Sequence, residues 1–181
     1  MKPREFRSRL LERAGGAGLD VSPGVLELLE TYYALLALWN AKINLMGIRL
    51  DQMTDQGLDR LFIEPLAAAR YAPVTAVGWL DVGSGGGSPA LPLKLVRPAA
   101  RLTMIESKAR KAAFLREAIR SLALRDAGVE NASLAQVAAP PQARDSADLM
   151  TVRAVRLDGP LLDGAARMLR AGGYLFLFGA S

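Results

Sequence analysis

The sequence contains neither cysteine nor histidine. Without cysteine there is no disulfide, no thiol nucleophile and no thiolate metal site. Without histidine the commonest general base and metal ligand are missing, which excludes Ser-His hydrolases and zinc enzymes. Any catalysis must therefore depend on carboxylates, lysine, arginine, backbone donors and the positioning of reactants, and no metal site is predicted.

Long apolar runs are absent as well, because no stretch approaches the ~18 residues that a membrane span requires. The first ten residues carry charges where a secretory signal has its apolar segment. A cytoplasmic protein without membrane contact is therefore expected. The net charge of +5 fits either a polyanionic partner or arginines scattered over solvated faces.

The first third of the chain has helical periodicity. Residues 1–18 predict a short basic helix, and "VSPGVLELLETYYALLALWN" predicts a second one. Ser22 is the predicted N-cap of this second helix and Pro23 its first residue. Residues 50–73 predict one or two more helices, with Pro65 at a start or a kink.

After residue 75 the pattern changes to short apolar runs that alternate with helical segments. The predicted strands are residues 76–82, 100–106, 132–138, 147–155 and 174–178. The predicted helices between them are residues 89–96, 107–124 (with Ser107 as N-cap) and 157–171, followed by a turn at Gly172–Gly173. This alternation indicates an α/β fold with a mostly parallel, doubly wound sheet. We expect one compact domain, with a helical cap at 1–72 and an α/β unit at 73–181.

The stretch "WLDVGSGGGSPALPL" places a glycine loop after the first predicted strand, where ligands bind in such sheets. From Gly85 to Ala90 it fits the dinucleotide pattern G-x-G-x-x-A. However, Pro89 has no N–H to offer a pyrophosphate. Asp81 before the glycines suits the sulfonium and amino groups of S-adenosylmethionine, and Glu106 after the second strand suits its ribose hydroxyls. The loop favours S-adenosylmethionine, and a nucleotide-dependent oxidoreductase is the weaker alternative.

Three stretches resemble motifs of a known family, the bacterial small-subunit ribosomal RNA methyltransferase G, also called glucose-inhibited division protein B. They are "LWNAKINL", "DVGSGGGSPALPL" and "VRAV", in the family's order, and the resemblance extends from Leu26 to Gly179. It implies a Rossmann-like class I methyltransferase that uses S-adenosylmethionine. The implied reaction is methyl transfer to N7 of a guanine in 16S ribosomal RNA, and the implied partner is that RNA or the small ribosomal subunit.

The resemblance also implies the site residues. Arg153 is expected beside cofactor and target, as a positioning group that forks onto guanine O6 or a phosphate. The alternative for Arg153 is an ion pair with Asp148 or Asp81. The predicted cofactor contacts are Asp81, Gly83, Ser84, Gly85, Gly87, Ser88, Glu106, Ala139, Pro140 and Arg153.

Basic residues are the candidates for RNA phosphate contacts. Those predicted on the helix after the second strand are Lys108, Arg110, Lys111 and Arg116, and those in the cap are Arg9, Arg13, Arg60 and Arg70. The sequence does not define an oligomeric state.

The chain also departs from the family pattern. It has Leu61 for His, Pro65 for Ser, Met46 for Thr, Ser88 for a bulky apolar residue, Ala90 for Gly, Ala138 and Pro140 for the polar pair of an R-x-E segment, and Phe178 for Lys. The sequence stops at Ser181, where the family pattern continues into a strand pair. These features predict a divergent, C-terminally short member. Its alternative function is that of a degenerate homologue that binds RNA or ribosomal particles with little turnover.

Overall fold

The structure is a computed structural model that describes residues 3–47, 49–75 and 77–179. The expected helix start at Met1, strand start at Ala76 and chain end at Ser181 lie outside these ranges. The helices are α1 (Pro3–Gly16), α2 (Pro23–Ile43), α3 (Asp55–Leu58), α4 (Glu64–Ala68), α5 (Ala90–Val96), α6 (Ala109–Ser121), α7 (Leu134–Ala138) and α8 (Gly159–Met168). The strands are β1 (Gly78–Val82), β2 (Arg101–Ile105), β3 (Ala127–Glu130), β4 (Ala147–Arg153) and β5 (Leu169–Phe178). Two short 3₁₀ turns lie at Leu50–Gln52 and Pro141–Ala143.

The start of α2 follows from its capping residues. The Ser22 hydroxyl accepts the Val25 N–H at 3.4 Å, and Pro23 is the first helical residue. These two predictions are confirmed. At the other end, Asn44 adopts a left-handed backbone with φ 49° and donates its N–H to the Asn40 carbonyl. Asparagine tolerates this conformation better than most residues, so α2 ends there.

Between α3 and α4 the chain forms a π-helical turn, Asp59–Ile63, in which the Glu64 N–H donates to the Asp59 carbonyl. Pro65 follows directly. Because proline has no N–H, it cannot make the α-helical bond to the carbonyl four residues earlier, that of Leu61. Insertions of this kind bend or widen a helix locally. The prediction of helices here, with Pro65 near a start or kink, is confirmed.

The five strands form one parallel sheet in the order β3-β2-β1-β4-β5. Every residue of β1 is buried, as expected for a central parallel strand with both faces covered. Because the order reverses between β1 and β4, the carboxyl ends of these two strands open a crevice. The predicted doubly wound α/β fold class is confirmed.

The predicted third strand, residues 132–138, is wrong. The strand beside β2 is β3, and residues 134–138 form helix α7. Ser133 and Gln136 make a reciprocal capping box, in which each side chain accepts the other residue's backbone N–H. Such a box starts a helix, and this signal outweighs the apolar alternation.

The predicted N-cap Ser107 is also wrong. Helix α6 begins at Ala109, after Lys108, which makes no side-chain capping bond. Instead the Glu106 carboxylate accepts the Lys108 N–H at 2.8 Å. An acidic side chain near a helix start is favoured by the partial positive charge there, so the acid after β2 takes over the role expected of the serine.

The predicted turn at Gly172–Gly173 lies inside a longer strand. The pairing of β5 with β4 is shifted between Ala147 and Leu149, and Gly172 has φ 79°. A glycine in this conformation is typical of a bulge. The fifth strand therefore starts at Leu169, five residues before the predicted start.

Apolar residues cover both faces of the sheet. One cluster joins the N-terminal helices to α5, α6 and the sheet, and the other packs α7 and α8 on the opposite face. Phe6 stacks on Tyr33, and Trp39 contacts Phe114 of α6 edge to face, with ring centroids 5.8 Å apart. The cap thus shares a core with the sheet. None of the described helices is long and apolar enough to cross a bilayer.

Candidate functional site

The candidate site lies where β1, β2 and β4 end. Val82 pairs with Ile105 of β2 on one side and with Val152 of β4 on the other. The residues that follow these strands are therefore neighbours in space. This register brings the glycine loop, Glu106 and Arg153 to one edge of the sheet.

The loop from residue 83 to 88 turns sharply after β1. Gly83 has φ 70°, and a Cβ at this position would lie 2.5 Å from the Val155 Cγ2. Only glycine fits there. The N–H groups of Gly83 and Ser84 both donate to the Ile105 carbonyl, at 2.9 and 3.2 Å. The loop is therefore held against β2 by its own backbone.

A cleft of about 450 Å³ opens beside this loop. One side, the sheet wall, consists of Gly83, Ser84, Gly85, Gly86, Arg153 and Ala154. The opposite side, the cap wall, consists of Leu45, Met46, Gly47, Arg60 and Leu61. Ser88 and Lys111 also line it. Of the predicted cofactor contacts, Asp81, Gly87, Glu106, Ala139 and Pro140 do not line this cleft.

Asp81 lies beneath the loop, with only 1% of its surface exposed. The Thr151 hydroxyl donates to its Oδ1 at 2.5 Å and accepts the Trp79 indole N–H at 2.9 Å. Its Oδ2 has no hydrogen-bond partner among the described residues. Burial raises the pKa of Asp81 to about 6, and the hydrogen bond from the Thr151 hydroxyl opposes this shift.

Glu106 is 6% exposed and braces two backbone segments. Its Oε2 accepts the Gly85 N–H at 2.9 Å, and its Oε1 accepts the Lys108 N–H. Each carboxylate oxygen has further acceptor capacity. The geometry assigns Glu106 a structural role at the loop, and its contact with a ribose stays a prediction.

Arg153 at the end of β4 is 9% exposed. Its Nη2 lies 2.9 Å from Glu64 Oε2 of the cap, and its guanidinium carbon lies 4.8 Å from the centre of the Phe178 ring. Burial lowers the pKa of Arg153, and Glu64 opposes this. Its Nε and Nη1 are buried without a hydrogen-bond partner among the described residues. Buried donors normally have a hydrogen-bond partner. Because these two have none among the described residues, they are available to a ligand.

The ion pair of Arg153 differs from the one considered in the sequence. Asp148 pairs with Arg170 at 2.8 Å, near the other end of β4. Asp81 acts on Arg153 only through its charge. Glu64 was missed because the bond joins a cap helix to a strand 89 residues later, and no local pattern signals such a contact.

Tyr32 is a second residue that the sequence analysis missed. Its hydroxyl donates to the Gly86 carbonyl at 2.6 Å, and the side chain is fully buried. Burial raises the pKa of Tyr32, which keeps the hydroxyl protonated as a donor. Helical spacing predicted that Tyr32 is a core residue, and it could not show that its hydroxyl reaches the glycine loop.

Ala139 and Pro140 follow α7, because the strand expected before them is a helix. The Ala139 carbonyl accepts a bond from Arg167, and the Pro140 carbonyl accepts the Ala143 N–H. Their backbone acceptors are thus used within this connection. A contact between these two residues and the cofactor stays a prediction.

The basic residues of α6 and the preceding turn divide into two groups. Lys108, Arg110 and Lys111 line a second cleft of about 510 Å³, whose other side is residues 43–47. Lys111 and residues 45–47 belong to both clefts. Arg116 lines neither of them and directs its guanidinium toward the Val129 carbonyl.

Most of the cap arginines considered for RNA are engaged within the protein. Arg9 pairs with Asp55 at 2.5 Å, Arg13 pairs with Asp59, and Arg70 donates to the Gly18 carbonyl. Arg60 alone of this group lines the glycine-loop cleft. The ion pairs hold α1 against the segment from α3 onward, so these charges are mainly structural.

This strand order, with a glycine loop after β1 and an acid after β2, is the class I S-adenosylmethionine-dependent methyltransferase fold. Solved structures share it, among them the following two. Coclaurine N-methyltransferase bound to N-methylheliamine and SAH has a TM-score of 0.57 at 16% identity, over 97% of this chain and 58% of its own. A putative transferase from Pyrococcus horikoshii has a TM-score of 0.54 at 20% identity, over 62% of this chain and 41% of its own. Identities this low show the fold alone.

Within this class, the chain belongs to the rRNA small subunit methyltransferase G (GidB) family, whose model matches residues 25–180. A Roseiflexus sp. (strain RS-1) protein named ribosomal RNA small subunit methyltransferase G is 38% identical over 147 residues, 81% of this chain. The protein of that name from Rubrobacter xylanophilus is 38% identical over 178 residues, 94% of this chain. The chain spans 61% and 64% of the lengths of these two relatives. The resemblance inferred from the motifs is confirmed.

Proposed function

We propose that this chain binds S-adenosylmethionine in the glycine-loop cleft and transfers its methyl group to N7 of a guanine in 16S ribosomal RNA. The observation that carries the proposal is one cleft in which the glycine loop faces the buried Arg153, two of whose donors have no hydrogen-bond partner among the described residues. The cleft's volume, about 450 Å³, lies within the range of small-molecule sites. Family membership supports the reaction and the RNA substrate, and it sets the oxidoreductase alternative aside.

The described residues fit such a ligand. The glycines leave the loop backbone open to close approach, and the acids at 81 and 106 put negative charge near a cationic cofactor. The open Nε and Nη1 of Arg153 match an acceptor such as a carboxylate or guanine O6. The cleft therefore offers backbone and donor groups within a small volume, and the two acids are not part of its lining.

The chemistry fits a chain without histidine. When bound, S-adenosylmethionine supplies an electrophilic methyl group, which the lone pair of N7 attacks as the carbon–sulfur bond breaks and its electrons pass to sulfur. No proton has to leave N7 before attack, so no general base is required. Arg153, held between Glu64 and Phe178, orients the acceptor, and the cap wall excludes water. The protein contributes position and a dry environment.

The second cleft supplies a route for RNA. Lys108, Arg110 and Lys111 line it with no acidic residue among its lining. It adjoins the glycine-loop cleft through Lys111 and residues 45–47. Cationic side chains along a groove contact phosphates and position RNA without reading its sequence. With ribosomal RNA as the substrate, we propose that this activity is cytoplasmic.

A degenerate homologue that binds without turnover is the second candidate. It is favoured by Leu61, which puts an apolar side chain in the cap wall, and by Phe178, which packs against Arg153. Both replace polar residues of the family pattern. Positioning lost by about 1 Å can reduce a rate about a hundredfold. Turnover, rather than cofactor binding, separates the two candidates.

The test is transfer of labelled methyl groups to small subunits from a strain that lacks its own enzyme. We expect label at guanine N7, and a rate about 10²–10³-fold lower in Arg153→Ala, since a positioned donor is lost. Arg170→Ala is the matched control, because it breaks an arginine ion pair near the other end of β4, and it should retain the rate. Calorimetry with S-adenosylhomocysteine completes the test. Binding of S-adenosylhomocysteine without label would support the second candidate, and a result with neither binding nor label would contradict the first.

A further inference from the structure

The carbonyl of Leu61 has an unusual partner. In an α-helix it would accept the N–H of residue 65, but residue 65 is proline and has none. The hydroxyl of Ser88 donates to this carbonyl instead, at 2.8 Å. Ser88 belongs to the glycine loop, and Leu61 belongs to the π-helical turn of the cap. Both residues line the glycine-loop cleft. The bond therefore crosses from one side of the cleft to the other.

The donor role restricts what else Ser88 can do. A serine hydroxyl has one proton, and here that proton is directed at the Leu61 carbonyl. Ser88 therefore cannot at the same time donate to a cofactor, although the sequence suggested such a contact. Among the described residues, Tyr32 makes a second side-chain bond between cap and loop, to the Gly86 carbonyl. These two bonds tie the loop to the cap before and after Gly87.

We infer that Ser88 is a positioning residue, whose hydroxyl replaces the hydrogen bond that Pro65 cannot donate and so sets the distance between cap and glycine loop. This inference rests on the proposed function, because the distance matters through the cofactor that the cleft holds. Loss of the bond leaves the Leu61 carbonyl without the Ser88 donor and lets the loop move away from the cap. Cofactor affinity then falls, although the hydroxyl that is removed donates to the protein and not to the cofactor.

A double-mutant cycle between positions 65 and 88 tests this coupling, with S-adenosylhomocysteine affinity and unfolding in denaturant as readouts. Ser88→Ala should weaken S-adenosylhomocysteine about fivefold, the worth of one hydrogen bond. Pro65→Ala restores an N–H in the turn below Leu61. In the Pro65→Ala background, Ser88→Ala should change S-adenosylhomocysteine affinity less than about twofold. The difference between the effects of Ser88→Ala in the two backgrounds is the coupling between positions 65 and 88. Ser88→Thr, which keeps the hydroxyl, should retain affinity in the Pro65 background.

Ser146→Ala is the matched control, because the Ser146 hydroxyl also donates to a carbonyl, that of Ala143, at 2.7 Å. It should lower the unfolding free energy without changing affinity. Two results would overturn the inference: an equal loss of affinity from Ser88→Ala in both backgrounds, or an effect of Ser88→Ala on unfolding alone. If the wild-type chain binds no S-adenosylhomocysteine, the proposed function fails as well. If it binds and the cycle shows no coupling, only the role of Ser88 fails.

Discussion

The two walls of the glycine-loop cleft are built in different ways. The sheet wall is held by backbone hydrogen bonds, by the Glu106 carboxylate, which accepts the Gly85 N–H, and by the Asp81 carbonyl, which accepts the Ser84 hydroxyl. The cap wall is held by side chains that reach across long sequence separations, such as Arg9 to Asp55 and Arg153 to Glu64. The first wall is therefore held by contacts between neighbouring strands of the sheet, whereas the second depends on side chains that meet only when the cap has packed.

This difference predicts that the sheet wall tolerates substitution least. Gly85 lines the cleft with φ 50°, and its N–H donates to Glu106. Gly85→Val puts a branched side chain into the cleft, where it would meet the cofactor. We expect S-adenosylhomocysteine affinity to fall about a hundredfold, the upper end of what overpacking costs. Isothermal calorimetry measures the affinity of the variant and of the wild type for S-adenosylhomocysteine.

Gly172→Val is the control for the strain of a β-branched residue in a left-handed conformation. Gly172 has φ 79° with nothing near its added Cβ, and it lies in the bulge of β5, outside the cleft. The variant should lose stability like Gly85→Val but keep its affinity. Equal affinities of Gly85→Val and the wild type would show that the loop does not contact the cofactor.

Asp81, the buried acid beneath the sheet wall, predicts that the stability of the protein depends on pH. The pKa of Asp81 is raised by burial to about 6, above the value of about 4 in an unfolded chain. Between these values the native state binds more protons, so the contribution of Asp81 to stability is largest below about pH 4 and falls as the pH rises through about 6. The loss at neutral pH is on the order of 2–3 kcal/mol. Asp81→Asn should flatten this part of the curve, which denaturant unfolding from pH 4 to about 7 measures. Parallel curves for the two proteins would contradict the assignment.

The cap wall should show a smaller effect. Glu64→Gln keeps the size of the side chain but removes the charge that faces Arg153. We expect methyl transfer to slow about tenfold, because the cost of unpairing a partly exposed ion pair is modest, with Glu64→Asp in between. The control is Glu30→Gln, which breaks the Arg7 ion pair outside the cleft and should keep the rate within about twofold. Equal rates of methyl transfer in Glu64→Gln and the wild type would show that the Glu64 charge does not contribute to positioning Arg153.

Several features of the fold followed directly from local chemistry. Ser22 and Pro23 start α2, the apolar run before Asp81 is a central strand, and the three alternating glycines form a loop with positive φ. The errors were local as well. A capping box at Ser133 made a helix where a strand was expected, and Glu106 replaced Ser107 as the group that starts α6.

The departures from the family pattern are separate positions along the chain, and the structure brings several of them together. Leu61 and Ser88 lie on the same cleft, Pro65 explains why the Leu61 carbonyl is open to Ser88, and Phe178 packs on Arg153. Substitutions that look independent along the chain can thus be neighbours with a shared hydrogen bond or ring contact. Spacing carries no information about such contacts.

The sequence by itself determined the parallel α/β fold, the place of the glycine loop and the family, because these depend on periodicity, turn residues and motifs only a few residues long. The tertiary structure alone decided which basic side chains are engaged in ion pairs and which line a cleft. It paired Arg9 and Arg13 with carboxylates 46 residues away, placed Glu64 on Arg153 and left Lys108, Arg110 and Lys111 along a cleft. The physical reason is range: a capping bond or a turn is set by adjacent residues, whereas an ion pair across the cleft forms only after the core has packed.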